Sequence, residues 1–456
     1  MSAEATGATP ALDPPRGAAV DFAATSRLLR RGASGALLVQ VGGAGFSLVV
    51  NVLLARLVGK SQYGIYAYAM SWVSVLGVLA LLGQSSSVVR LVPVYLHRKE
   101  WGTLRGLRRG ASAIVLGGSI AVMLAGAALV FALRGRMGSA TLQTMLAAFL
   151  LLPLLTQLGL NGGFFRGYKR AFSSGAYNSL VRPAFLIVLV LVLALPLGLR
   201  LDAPGIMLAN VVAALAAVAC SEWHLSRAWP AEAKRVEPRY EPRAWFRLGR
   251  QLFLLAAIGI VSNRVDVLIL GGLAGAAEVG PYYAAVRLAA IAAYGLTAVN
   301  TILAPMIAES YAAEDHATMA RLVHHAAKLT FVVTATVALA IAIAGYWALR
   351  LFGKGFAEVA YIPLLIILAG QCVAAMTGPT GFLMTMTRYE RQASWFMALA
   401  AVLNMVFSVA LIPMFGLIGA ALATALGSVA WNVSGLTFVR SRLHVNPTVL
   451  PLPDKR

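Results

Sequence analysis

Acidic side chains are scarce in this 456-residue chain: 17 Asp and Glu stand against 38 Lys and Arg, and residues of either charge make up only 12% of the sequence. A soluble globular domain carries roughly twice that share of charge, about 25%, so a water-exposed surface cannot be built from this composition. Cysteine is nearly missing as well. Cys220 and Cys372 lie in separate apolar stretches, which excludes a disulfide framework and a thiolate metal site. The six histidines are dispersed, with no metal-ligand spacing, and no glycine-rich phosphate loop follows a strand pattern. No catalytic constellation emerges, and neither a cofactor nor an enzymatic role is expected. The first thirty-odd residues include Pro10, Asp13, Pro14, Pro15 and Asp21 with no apolar core among them, so a disordered cytoplasmic tail is expected rather than a cleaved leader.

What is present is apolar. Hydrophobic residues make up 59% of the chain. Windows of about 20 apolar residues, the length that crosses roughly 30 Å of hydrocarbon, give about twelve spans. They cover 35–55, 63–86, 110–133, 141–160, 176–197, 204–225, 252–273, 281–305, 326–349, 359–385, 393–412 and 416–439. The expected class is an all-α polytopic membrane protein. Most Lys and Arg fall in alternate loops, such as Arg98 to Arg109 and Arg227 to Arg247, which places both termini in the cytoplasm by the positive-inside rule. The net charge of +21 is then topology and attraction to membrane lipids, and nucleic acid is not expected as a partner.

The chain also contains a worn copy of itself. NVLLARLVGKSQYGIYAYA, from Asn51, falls without a gap on VLILGGLAGAAEVGPYYAA, from Val267, at an offset of roughly 216 positions. Gly59 meets Gly275, Gly64 meets Gly280 and Tyr66 meets Tyr282; further on, Arg105 meets Arg321. With six spans per copy the repeats run parallel, and two lobes meeting around a pathway are expected. The boundaries are a tail at 1–34, a first lobe at 35–226, a cytoplasmic linker at 227–248, a second lobe at 249–440 and a cytoplasmic tail at 441–456. The linker, with two Glu-Pro steps, is expected to lay an amphipathic piece around Trp245 and Phe246 on the membrane surface. Pro379, between Gly378 and Gly381, is the most hinge-like proline inside a span.

Ionisable residues at membrane depth carry the functional signal. Arg264 lies about twelve residues into its span, close to the midplane, where insertion scales charge about 2.5 to 3.5 kcal/mol for Arg. It faces either a cavity or a partner on another helix. In a continuous helix Asp266, two positions on, is turned by about 200° and looks elsewhere. That carboxylate is placed either to bind a proton or Na⁺ or to serve as fixed counter-ion to an arginine. Arg287 and Arg182 lie a turn or two inside their spans, facing the interior or snorkelling to headgroups. Amides such as Asn51, Gln157, Asn210 and Asn300 are expected to bridge helices. Together Arg264, Arg287 and Arg182 point to a cationic interior suited to a phosphate-bearing headgroup, since guanidinium forks match phosphate oxygens. An exporter of organic cations needs deep carboxylates in the first lobe, and none is read there. A major-facilitator fold is disfavoured, because HRKEWGTLRGLRRG lacks the acidic-arginine pattern of that loop.

LLARLVGKSQYGIYAYA, SSSVVRLVP, SNRVDVLILGGLAGAAEVGPYYAAVRLA, LAPMIAESYA and LIPMFGLIGAALATALG, in that order, resemble the polysaccharide biosynthesis flippases of the MOP superfamily, the Wzx-like proteins. The resemblance runs from about Gly35 to Arg440. It implies two six-helix lobes around a V-shaped central cavity. It also implies alternating-access flipping of a polyprenyl-pyrophosphate-linked oligosaccharide across the plasma (inner) membrane, coupled to H⁺ or Na⁺. Polysaccharide polymerase and chain-length proteins are the partners it implies. Two other readings stand beside it: a MATE-like antiporter of drugs or small metabolites, and a membrane scaffold for glycan enzymes.

Overall fold

The computed structural model describes residues 22–195, 201–293, 315–387, 389–443 and 445–449, with the isolated positions 198 and 307. The described secondary structure is helical throughout. Helix α1 (Phe22–Leu81) is followed by α2 (Gln84–His97), α3 (Trp101–Ala132), α4 (Ser139–Gly167), α5 (Ala171–Ala176), α6 (Arg182–Ala194) and α7 (Ala203–Ala228). After the short α8 (Ala231–Arg235) come α9 (Pro242–Ser262), α10 (Val265–Leu273) and α11 (residues 279–293). Helices α12 (His316–Arg350), α13 (Ala357–Met376), α14 (Thr380–Met386) and α15 (Glu390–Arg442) complete the chain.

Two of these helices are too long to be single spans. The apolar part of α1, Gly42–Leu81, has 40 residues, about 60 Å of straight helix and twice the hydrocarbon thickness. It folds back at Gly59, whose φ of 78° and ψ of 174° leave helical space. The 53-residue α15 folds back in the same way at Gly416, with φ 55° and ψ −125°. Each therefore supplies two spans. The remaining long apolar helices supply six more, and the interrupted pair α9–α10 and α11 correspond to the seventh and eighth expected spans. Large apolar side chains on these helices face outward, including Leu124, Leu129, Leu339, Ile343 and Trp347, each at least 60% exposed. A belt of that kind is what a helix shows to lipid.

The internal repeat is visible in the backbone. Gly59 and Gly275, equivalent by the repeat offset, both have positive φ, 78° and 96°, and each closes the turn between the first and second spans of its half. Gly64 and Gly280 face each other across the halves. A Cβ on Gly64 would meet the Ala276 carbonyl oxygen at 2.5 Å, and one on Gly280 would meet the Lys60 carbonyl oxygen at 2.6 Å. Lys60 and Ala276 are themselves repeat partners. The contact is thus self-complementary, as a two-fold relation between halves requires. Aromatic rings complete this end: Tyr63 lies 6.3 Å from Tyr283, 6.3 Å from Phe352 and 6.0 Å from Phe356.

Four expectations need revision. The first helix begins at Phe22, inside the segment read as a disordered tail; no proline follows Pro15 there, and Ala, Leu and Arg sustain helix. Trp245 does not lie on the membrane surface. It is fully buried against Gly110 and donates from Nε1 to the Tyr95 hydroxyl at 3.2 Å, while Phe246 stays half exposed. A planar indole beside a glycine fills space that no interfacial residue would. The seventh span is not continuous, breaking at Asn263 and Arg264 between α9 and α10. The tenth span also breaks, at Gly378 and Pro379, where the tail returns and Val449 N donates to Met376 O at 3.2 Å.

The glycine contact between halves predicts a stability contrast. Gly280→Leu should destabilise the purified protein by about 1 to 3 kcal/mol through overpacking, lowering its melting temperature in detergent. Gly272→Ala, where an added Cβ meets nothing within 4 Å, should leave it unchanged or slightly raised. Equal melting temperatures for the two variants would contradict the close approach.

Candidate functional site: a cationic cavity between the halves

The chain enters the cavity region through an irregular helix. Between α5 and α6 the backbone widens into one π-turn, Tyr177–Val181, and Arg182 opens α6 with Pro183 behind it. Such turns re-aim the next side chain without ending the span. Arg182 there donates from Nη1 to Asn210 Oδ1 on α7 at 2.8 Å. Asn210 is fully buried and passes the network on, donating from Nδ2 to the Tyr66 hydroxyl at 3.1 Å. One amide thus holds a guanidinium with its oxygen and a phenol with its nitrogen.

A second group arrives from the other half. Arg287 on α11 donates to the Tyr283 hydroxyl one turn earlier, and its guanidinium lies 4.6 Å from the Tyr283 ring centroid. Arg264 approaches the same ring at 5.8 Å from the break between α9 and α10. Tyr283 is therefore bracketed by two cations, an arrangement that the negative face of its ring favours. Tyr283, Arg287 and Arg182 line one cavity of about 70 Å³, together with Ser47, Asn51 and Tyr66. Asn51 is fixed by the Tyr63 hydroxyl, which donates to its Oδ1 at 2.9 Å. Among the described residues no carboxylate lines the cavity.

The structure brings Arg182 and Arg287 to one wall-to-wall cavity and sets Arg264 behind Tyr283, next to but outside the lining. Arg182 and Arg287 are both half-buried in that lining. The Nε atoms of Arg182 and Arg264 are buried with no hydrogen-bond partner among the described residues. Cations withdrawn from water cost several kcal/mol each unless something answers them, and here neutral amide and phenol groups do part of that work.

Asp266 stands apart. It is buried on α10 and accepts three hydrogen bonds: from Val267 N at 2.8 Å, from the Tyr282 hydroxyl at 2.5 Å and from Thr424 Oγ1 at 2.9 Å. Among the described residues it forms no close ion pair, and Arg264 is the arginine whose charge acts on it. The expectation that Arg264 and Asp266 lie on opposite faces of one helix does not apply, because the helix is interrupted at Arg264 itself. The polar triplet Ser262, Asn263, Arg264 inside an apolar run was the available signal; Asn263 caps α9, donating to Gly259 O at 2.7 Å.

A further acid was missed. Glu222 lies in α7, within the expected span 204–225, and receives Gln157 Nε2, Asn161 Nδ2 and Arg108 Nη2, each at 2.9 Å. The first lobe therefore does contain a carboxylate inside a span, but it is engaged by a cation and two amides. Asn300 and, apart from Ile307, the motif LAPMIAESYA lie outside the described residues. Among the described residues no three His, Cys, Asp or Glu side chains group to hold a metal ion.

Comparison with known proteins adds the wider context. Residues 29–311 match a family model described as polysaccharide biosynthesis protein. No curated protein sequence matches the chain. Among solved structures, an inward-facing multidrug resistance MATE transporter of the MOP superfamily superposes with a TM-score of 0.70 at 14% identity, over 88% of this chain and 94% of that one. An outward-facing multidrug resistance MATE transporter of that superfamily gives 0.64 at 12% identity, over 92% and 97%. A MOP-superfamily transporter from Pyrococcus furiosus, described by a binding pocket of reverse polarity that suggests a different function, gives 0.63 at 11%, over 92% and 96%. At these identities the similarity establishes the fold.

Asn210 is the structural keystone of the cavity wall. Asn210→Leu would strand a buried guanidinium, and is expected to destabilise the protein by about 1 to 3 kcal/mol. Chemical unfolding in detergent measures this; a variant as stable as the wild type would show that Arg182 does not depend on Asn210.

Proposed function

Starting from the chain's membership in the polysaccharide biosynthesis protein family, a family of transporters of the MOP type rather than enzymes, we propose that it flips a lipid-linked oligosaccharide. The passenger is a polyprenyl-pyrophosphate glycan, moved from the cytoplasmic to the outer leaflet of the plasma (inner) membrane. The observation that carries this reading is the lining of the central cavity, to which opposite halves bring the guanidinium groups of Arg182 and Arg287. A diphosphate carries the opposite sign, and two guanidinium groups from opposite halves suit its two phosphates. The glycan needs a polar route that hydrocarbon denies it, while the isoprenoid tail remains in lipid.

With both termini cytoplasmic, the Gly59 and Gly275 turns lie at the outer end. The Tyr63, Phe352 and Phe356 contacts then seal that end, which favours access from the cytoplasm. The cavity of about 70 Å³ is well below the roughly 300 to 1,000 Å³ of a typical small-ligand pocket. Binding therefore requires the halves to part. Asp266, with Tyr282 and Thr424, ties α10, α11 and the last span together. Taking up H⁺ or Na⁺ there would rearrange three helices of one half at once, which is the step a gradient can drive. An antiporter of organic cations is less well supported, because Asp266 is outside the cavity lining and Glu222 is already engaged by Arg108.

Arg182→Ala or Arg287→Ala should lower surface polysaccharide about tenfold or more, the loss expected for one charge-assisted hydrogen bond of about 1.5 to 3 kcal/mol. Arg264→Ala should do the same through Tyr283, and Arg287→Lys should recover part of the activity. Immunoblotting of the membrane fraction checks that the protein is present. Normal polysaccharide in all three alanine variants would remove the cavity from the mechanism. For Asp266→Asn, flipping in proteoliposomes should continue downhill but lose its response to an imposed ion gradient; an unchanged response would exclude Asp266 as the coupling group.

A further inference from the structure

A second cationic cavity lies away from the first, where the connection between the halves returns to the first half. It occupies about 470 Å³ between α3, the end of α7 and α8, and Arg105, Arg108, Arg109, Arg227, Lys234 and Trp229 surround it. Among the described residues Arg108 alone of these cations is balanced by an acid, Glu222 at 2.9 Å. Arg105 is spent on the backbone, donating from Nη1 to Val236 O at 2.8 Å. Arg109, Arg227 and Lys234 have no carboxylate partner among the described residues.

We propose that this cavity binds the phosphodiester headgroup of an anionic phospholipid and so clamps the inter-half connection to the first half. Three observations fit that occupant better than a soluble anion. Trp223, 59% exposed on α7, carries the Arg227 guanidinium stacked on its ring at 4.0 Å. An exposed indole beside a cation is the signature of the headgroup layer. Arg108 lies over Trp229 at 4.8 Å, so one wall of the cavity is aromatic and suits the glycerol backbone beneath a phosphate. Lastly, the cavity joins the membrane helices α3 and α7 to Trp229 and Lys234 of the connection, the place where basic pockets between spans collect lipid headgroups. The cavity between the halves plays no part in this; only the assignment to the cytoplasmic leaflet rests on the orientation above.

The clamp has a mechanical consequence. The connection is already fastened to α3, with Arg239 N donating to Gly102 O at 2.9 Å and Trp245 buried against Gly110. A headgroup bridging Arg109 on α3 to Lys234 on α8 adds an electrostatic tie that depends on membrane composition. Whatever motion the halves make relative to each other then pivots on a lipid-dependent joint.

The test is a titration of cardiolipin onto the full-length purified protein, read by native mass spectrometry, with phosphatidylcholine and inorganic pyrophosphate as separate arms. The wild type should retain cardiolipin and not phosphatidylcholine, and pyrophosphate should not displace it. Arg109→Gln with Lys234→Gln should weaken retention about twenty-five-fold, at about a factor of five per cation lost. Should that double variant fail to fold, Arg227→Gln alone should weaken it about fivefold. Undiminished retention in folded variants, or no cardiolipin retained by the wild type, would overturn the proposal; displacement by pyrophosphate would reassign the cavity to a soluble anion.

Discussion

Guanidinium groups drawn together inside a membrane protein repel one another and resist leaving water. Everything in the central cavity is arranged around that constraint. Asn210 turns its oxygen to Arg182, Tyr283 offers its hydroxyl to Arg287 and its ring to both Arg287 and Arg264, and Tyr66 closes the chain of neutral partners. These groups orient the cations without neutralising them. On the proposed reading, an anionic headgroup between the halves is the passenger these cations meet. On that reading tight binding would trap the passenger, so the proposed cycle needs a second element that changes state, the role proposed for the buried, hydrogen-bonded Asp266.

Duplication explains the frame and not the chemistry. Gly59 and Gly275 make equivalent turns, Gly64 and Gly280 make equivalent contacts, and Tyr66 and Tyr282 both hydrogen-bond towards the last span of their own half. At the positions equivalent to Arg264, Asp266 and Arg287 the first half has Leu48, Val50 and Ser71. The halves therefore share how they meet but differ in what they present. The first half contributes one cation through a π-turn, and the second contributes two, one of them through a helix break.

Much of this was legible in the sequence because the bilayer makes simple demands. Apolar runs of span length, the offset glycines and the deep arginines can all be read without coordinates. The helix break at Asn263 and Arg264 was not, since neither proline nor glycine marks it and the polar triplet there is ambiguous alone. Glu222 was overlooked because it sits within reach of a span end, and only its ring of donors from α3 and α4 shows that it is held inside. Trp245 read as interfacial from its charged neighbours. Its burial depends on Gly106 and Gly110, more than a hundred residues earlier, leaving room for the returning chain. Tyr283 had no signal of its own, because its role exists only once Arg264, from the helix break, joins Arg287 at its ring.

The central claim is that the sign of the cavity selects the passenger. Equilibrium binding of farnesyl diphosphate and of a lipophilic organic cation to the purified protein, measured side by side across a range of salt, addresses it directly. Binding of the diphosphate alone, weakening as salt rises and lost when Arg182 and Arg287 are both replaced by Gln, is the predicted result. Preferential binding of the cation, or diphosphate binding indifferent to those two replacements, would contradict it.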